Sequence, residues 1–96
     1  MKKTITIQAK VWKFGGYATW YFVNIDSDIS SSIRESAIKK SMGMVKVEAK
    51  IKKVSWSTSL FWSKRDKSYI LPLKKKIRYE VGILEGDNLK ISLKLL

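Results

Sequence analysis

Residues 69–95 read Y-I-L-P-L-K-K-K-I-R-Y-E-V-G-I-L-E-G-D-N-L-K-I-S-L-K-L, and their periodicity changes three times. Tyr69, Leu71 and Leu73 alternate with Ile70 and Pro72, which predicts a short strand with apolar residues on both sides. Pro72 has no N–H for a ladder and marks an edge or a strand end. From Lys74 the period lengthens. Ile77 and Val81 stand four apart, the spacing of one helical face, and Gly82 follows where a helix end favours positive φ. Glu85-Gly86-Asp87 is a turn signal. Leu89, Ile91, Leu93 and Leu95 then alternate with Lys90, Ser92 and Lys94, the pattern of a half-buried strand.

Much of this stretch recurs in the first half. At an offset of 48, Tyr21, Phe22, Val23, Ile25, Ile29 and Ile33 fall on Tyr69, Ile70, Leu71, Leu73, Ile77 and Val81. Past the helix, an offset of 44 aligns Val45, Lys46, Val47, Lys50 and Ile51 with Leu89, Lys90, Ile91, Lys94 and Leu95. The slip falls in the helix-to-strand connection, where insertions are cheap. The remaining elements follow by periodicity. Residues 4–13 alternate, with Ile5, Ile7, Ala9 and Val11 on one face, and Phe14-Gly15-Gly16 turns the chain. Residues 17–25 are aromatic and β-branched, a strand packed on both sides. Asp28 is the expected cap of a helix carrying Ile29, Ile33 and Ala37. Lys39 and Lys40 suit its last turn, and Ser41-Met42-Gly43 closes it. Residues 44–53 and 54–62 form two more strands joined at Lys52-Lys53. In the second, Val54, Trp56, Leu60 and Trp62 share a face opposite Ser55, Ser57 and Ser59. The expected architecture is mostly β: a six-stranded, double-split, pseudo-twofold barrel with two short helices, built from two β-β-α-β halves, about 1–50 and 51–96, in one domain.

Composition narrows the chemistry. The 96 residues are 45% hydrophobic and 11% aromatic, as in a globular chain, and no run reaches the roughly 20 apolar residues of a membrane span. The opening M-K-K-T-I-T-I-Q-A-K alternates like a strand and does not read as a signal peptide. There is no cysteine and no histidine. Disulfides and thiolates are excluded, the commonest general base and metal ligand are missing, and a cytoplasmic setting is expected. Net charge is +12, with eight basic and four acidic residues in 1–48 and twelve and four in 49–96. Such a balance favours anionic partners, although a solvated lysine-rich surface has the same composition.

Trp56-Ser57-Thr58-Ser59-Leu60-Phe61, then Tyr69-Ile70-Leu71-Pro72-Leu73-Lys74, Arg78, Gly82 and Gly86-Asp87 together resemble the bacterial domain-of-unknown-function family number 1905. Its pattern is W-x-T-S-L-F, Y-x-L-P-V-K, V-R and G-L-x-x-G-D. The resemblance spans essentially the whole chain and implies a double-split β-barrel with no established activity. The sequence departs from the pattern at Asn24, where the family repeats a proline, and at Trp62, where proline is common. A weaker resemblance is to the AbrB-type swapped-hairpin DNA-binding fold, in which two chains complete one barrel.

Two candidate sites follow. Trp56, Thr58 and Ser59 with Lys64 and Arg65 could stack a ring and hold an anion. The plainer reading puts Trp56 and Trp62 in the core. Lys74, Lys75, Lys76 and Arg78 surround a helix start, an arrangement that suits an anion. The plainer reading is a solvated face with Arg78 paired to Asp87 or Glu80. Asp26 and Asp28 suit capping better than acid–base work. The leading expectation is a monomeric, non-enzymatic binding module for an anionic or aromatic ligand, using Trp56, Thr58, Ser59, Lys64, Arg65, Tyr69, Lys74 and Arg78, with no cofactor, metal or membrane. Alternatives are nucleic-acid binding through the lysine face, and an enzyme acting through lysine or tyrosine.

Overall fold

The computed structural model describes residues 4–15, 20–39 and 44–96, the side chains of 36–39 aside. In chain order the elements are β1 (Thr4–Lys10), β2 (Trp12–Phe14), β3 (Trp20–Asn24), α1 (Ser27–Lys39), β4 (Val45–Ile51), β5 (Val54–Ser63), β6 (Ser68–Pro72), α2 (Lys75–Val81) and β7 (Asn88–Leu95). The expectations for Gly16, residues 17–19, the Ala37 and Lys39 side chains, Lys40 and Ser41-Met42-Gly43 lie outside the described residues.

The protein is mostly β with two helices. Its strands form one curled, half-barrel sheet in the order β1-β7-β4-β5-β6-β3-β2, and every pairing is antiparallel. Where six strands were expected there are seven, because the first breaks at Val11. The Val11 amide donates to the Asp87 carbonyl at 2.8 Å, and its carbonyl accepts from the Gly86 amide at 2.8 Å. With both polar groups held by the turn before β7, the chain leaves its ladder with β7 and joins β3 instead. The sheet order therefore runs from β1 to β2, consecutive in the chain, rather than closing through a ladder between them. β5 makes the same crossing unbroken. Its residues up to Leu60 pair with β4, and those from Phe61 pair with β6.

Alternation sets the core. Along β4, Val45, Val47, Ala49 and Ile51 are buried, while Lys46, Glu48 and Lys50 are exposed. Leu89, Ile91 and Leu93 of β7 pack with them, together with Ile7, Val11, Val23, Leu60 and Leu71. The central pairings have a regular register. Val23 pairs with Leu71, 48 residues on, at the middle of β3–β6, and Ala49 pairs with Leu93, 44 residues on, within β4–β7.

Helix ends follow local chemistry. Asp26, not Asp28, caps α1: its Oδ1 accepts from the amides of Asp28 at 2.9 Å and Ile29 at 3.3 Å. The helix starts at Ser27, so only the residue before it can turn a carboxylate back on those free amides. Asp28 lies in the first turn, where negative charge favours the dipole. α2 ends at Gly82 in the left-handed region, φ 79°, as its sequence predicts. No helix among the described residues is long and apolar enough to cross a membrane.

Leu93 is fully buried at the middle of β4–β7. Leu93→Ala is expected to cost about 2–5 kcal/mol in urea unfolding, whereas Lys94→Ala, on the exposed face, changes stability by less than about 0.5 kcal/mol. At Gly82 an added Cβ would meet nothing within 4 Å. The cost of Gly82→Ala is therefore conformational, ~1–2 kcal/mol.

Candidate functional site

The site is built where β6 gives way to α2. β6 ends at Pro72, and Leu73 turns inward while its amide donates to the Tyr21 carbonyl at 2.8 Å. That bond ties the start of α2 to β3. Lys74 stays extended, φ −63° and ψ 147°, and the helix begins at Lys75. One turn on, the Arg78 side chain folds back over this start. Its Nε donates to the Leu73 carbonyl at 3.2 Å, and its guanidinium lies 3.9 Å from the Tyr21 ring centre. Lys74 Nζ donates to the Ser57 carbonyl at 3.3 Å, which brings β5 alongside.

Between these groups lies a cleft of about 290 Å³ lined by Trp20, Tyr21, Pro72, Leu73, Lys74, Lys75 and Arg78. Trp20 is 58% exposed at its edge. Three cations line the cleft and no acid does, nor does the first turn of α2 contain one. Among the described residues the ion pairs are Lys13–Glu85 and Arg65–Asp66. Arg78 thus pairs with neither Asp87 nor Glu80. Asp87 instead accepts the Leu84 amide at 2.8 Å, as the turn signal implied. Of the five guanidinium N–H groups, Nε–H has a protein acceptor.

A second cleft, of about 430 Å³, occupies the corresponding place in the other half and is lined by Gln8, Asn24, Ile25, Asp26, Ser27, Asp66 and Ser68. Ile25 donates its amide to the Tyr69 carbonyl at 2.9 Å, the counterpart of the Leu73–Tyr21 bond at the same 48-residue offset. The chemistry is reversed. Asn24, Asp26, Ser27 and Ser68 stand where Pro72, Lys74, Lys75 and Trp20 stand in the basic cleft. Ser30, at the position of Arg78, donates to the Ile25 carbonyl at 3.1 Å and accepts the Tyr69 amide at 3.0 Å. Asn24 accepts from Trp12 Nε1 at 2.6 Å and donates to Asp66 at 3.2 Å and Ser68 at 3.0 Å. The Arg65 guanidinium beside Asp66, with hydrogen bonds from Asn24 and Ser63, holds its carboxyl below the usual aspartate range.

The structure separates the residues singled out from sequence. Lys74 and Arg78 share the basic cleft. Thr58 and Ser59 are half-buried on β5, next to Ser57, which Lys74 reaches. Lys64 and Arg65 are exposed in the β5–β6 loop. Arg65 is engaged there, by Asp66 at 3.2 Å and over the Trp12 ring at 5.7 Å. Trp56 is only 8% exposed and belongs to the core, so its ring offers no stacking surface. Its indole N–H has no partner among the described residues. Tyr69 is buried edge-on against Trp62 at 5.2 Å, with the Arg34 guanidinium 4.1 Å above Trp62. Burial pushes the Tyr69 phenol up, and the Arg34 charge opposes part of that. Trp20 and Tyr21 escaped the sequence reading, although Tyr21 is the repeat counterpart of Tyr69, which it singled out.

A family model described as Domain of unknown function (DUF1905) matches residues 8–93. No curated protein matches the chain.

Two titrations carry signatures of this geometry. Asp66 titrates lower folded than unfolded, so its contribution to stability is present above about pH 4 and is lost as pH falls through the folded-state value. Tyr69 titrates higher folded than unfolded. Its contribution is present below about pH 10 and is lost as pH rises through the folded-state value. Thermal midpoints across pH are expected to show a flatter acid limb in Asp66→Asn and a flatter alkaline limb in Tyr69→Phe. An alkaline limb unchanged in Tyr69→Phe would place the responsible group elsewhere.

Proposed function

The chain belongs to the DUF1905 family, and from that position we propose that it is a non-enzymatic binding module for a small anionic, ring-bearing ligand. The observation that carries this reading is the state of Arg78. One N–H is anchored on Leu73 and one face is stacked on Tyr21. The guanidinium is therefore held in place while its terminal nitrogens remain available for a bidentate oxyanion. Trp20 adds an exposed indole face, and Lys74 and Lys75 add charge at the same opening. Cations and rings line the cleft, and no nucleophile–base pair does.

In the same reading the chain is a duplicated β-β-α-β unit whose halves complete one double-split, pseudo-twofold barrel. Support comes from the pairings centred on Val23–Leu71 and Ala49–Leu93, and from the matched bonds Ile25–Tyr69 and Leu73–Tyr21. β1 with β2 corresponds to β5, since each run crosses from one ladder to another. With both halves in one chain, this barrel needs no second copy.

Adenosine monophosphate is a suitable probe, with adenosine and inorganic phosphate as its separate parts. Quenching of tryptophan fluorescence is expected with the monophosphate and to weaken as salt rises. Arg78→Ala is expected to lower affinity about 10- to 100-fold, the range of a charged hydrogen bond. Arg78→Lys should not restore it, because a single ammonium lacks the fork. Binding that ignores ionic strength and survives Arg78→Ala would overturn the proposal.

A further inference from the structure

The outer face of the β4–β7 ribbon is the largest feature that the cleft does not use. Lys46 and Lys50 point outward from β4, and Lys90 and Lys94 from β7, all four exposed. The register interleaves them. Lys94 lies opposite Glu48, Ser92 lies opposite Lys50, and the Leu96 amide bonds the Lys46 carbonyl at 3.0 Å. Along the ribbon the order is thus Lys46, Lys94, Lys50, Lys90, alternating between strands at two-residue steps. At a strand rise of about 3.3 Å per residue, each step is roughly 6.6 Å and the row roughly 20 Å long. Glu48 is the one acid in the row, and it makes no ion pair with Lys94 among the described residues.

From this row we infer that the β4–β7 face binds the phosphate backbone of duplex nucleic acid, independently of sequence and independently of the cleft. The step matches two nucleotide rises along one strand, about 6.8 Å, so the row sets one ammonium against every second phosphate. The hydroxyls of Ser55, Ser57 and Ser92 border it and suit phosphate oxygens. The outward side chains on β4 and β7 include no aromatic ring, so the face has no platform for unstacked bases. That favours a duplex over a single strand. Glu48 sets the limit on affinity, since it removes charge at the middle of the row.

The test is fluorescence anisotropy of a 20-base-pair DNA duplex at 50 and 200 mM salt. Four phosphate contacts imply a log–log salt slope of about −3.6, and a loss of affinity on the order of 10²-fold between those conditions. Replacing Lys46, Lys50, Lys90 and Lys94 with glutamine is expected to bring the slope near zero while preserving adenosine monophosphate binding. Glu48→Lys is a gain-of-function arm that does not depend on the multiple variant folding. It should tighten binding and steepen the slope by about 0.9. Arg78→Ala should leave duplex binding unchanged, so failure here and failure of the cleft reading are separable. Four results would overturn the inference: no duplex binding at 50 mM salt, no response to Glu48→Lys, tighter binding to a single strand of equal length, or tighter binding to phosphatidylglycerol vesicles.

Discussion

Two exchanged backbone hydrogen bonds organise the protein's two clefts. Leu73 donates to Tyr21 and Ile25 donates to Tyr69, so the residue entering each helix is fastened to the strand of the other half. Between them lies the β3–β6 ladder, with Val23 and Leu71 fully buried. Each such bond is worth only about 1 kcal/mol net, but leaving the buried groups unpaired would cost more. The helices cannot pivot from the sheet without losing both the bond and the burial beside it. The helix starts, and every side chain they carry, are thereby set in place before any ligand is considered.

Equivalent backbones then carry opposite chemistry. In one half the position over the helix start holds Ser30, whose hydroxyl both donates and accepts and is fully buried. In the other it holds Arg78, too long to be buried there, with a charge that must stay near solvent. Asp26 caps its helix, whereas Lys74 makes no side-chain cap and α2 begins on lysines. Basic residues in a first turn cost roughly 0.3–1 kcal/mol against the dipole. The acidic cleft is internally satisfied and the basic one is not, the usual direction of compromise where a surface is kept for a partner.

Legibility divided along physical lines. β4 and β7 were readable because strict alternation at period two has one meaning when one face is buried. The seventh strand was not. Val11 continues the inward phase of Ile5, Ile7 and Ala9, so hydropathy runs on smoothly through a break made by hydrogen bonds from residues 86–87. Ser30 was invisible for a related reason: a serine reads as polar, and its burial depends on two backbone partners, one 39 residues away in the chain. Trp56 could be read either as a platform or as core, and only its packing places it in the core. Lys74 and Arg78 were found from local charge. Tyr21 was missed because its role comes from a strand more than 50 residues earlier, which sequence connects to the helix only through the repeat.

Asn24 shows why the repeat decayed where it did. It holds the place that Pro72 holds in the second half, and there the first half departs from the family's repeated proline. A proline side chain could accept no indole proton from Trp12 and could offer no amide to Asp66 or Ser68. Asparagine does all three, linking β2, β3 and the β5–β6 loop. The loop is folded down by the same carboxylate, through Ser63 and Arg65. At Pro72 nothing of the kind is possible, and the adjoining surface is left to the ring of Trp20 and the cations of α2. One substitution in a duplicated frame therefore turns one mouth inward on its own polar groups. The other mouth keeps its charge without a partner inside the protein.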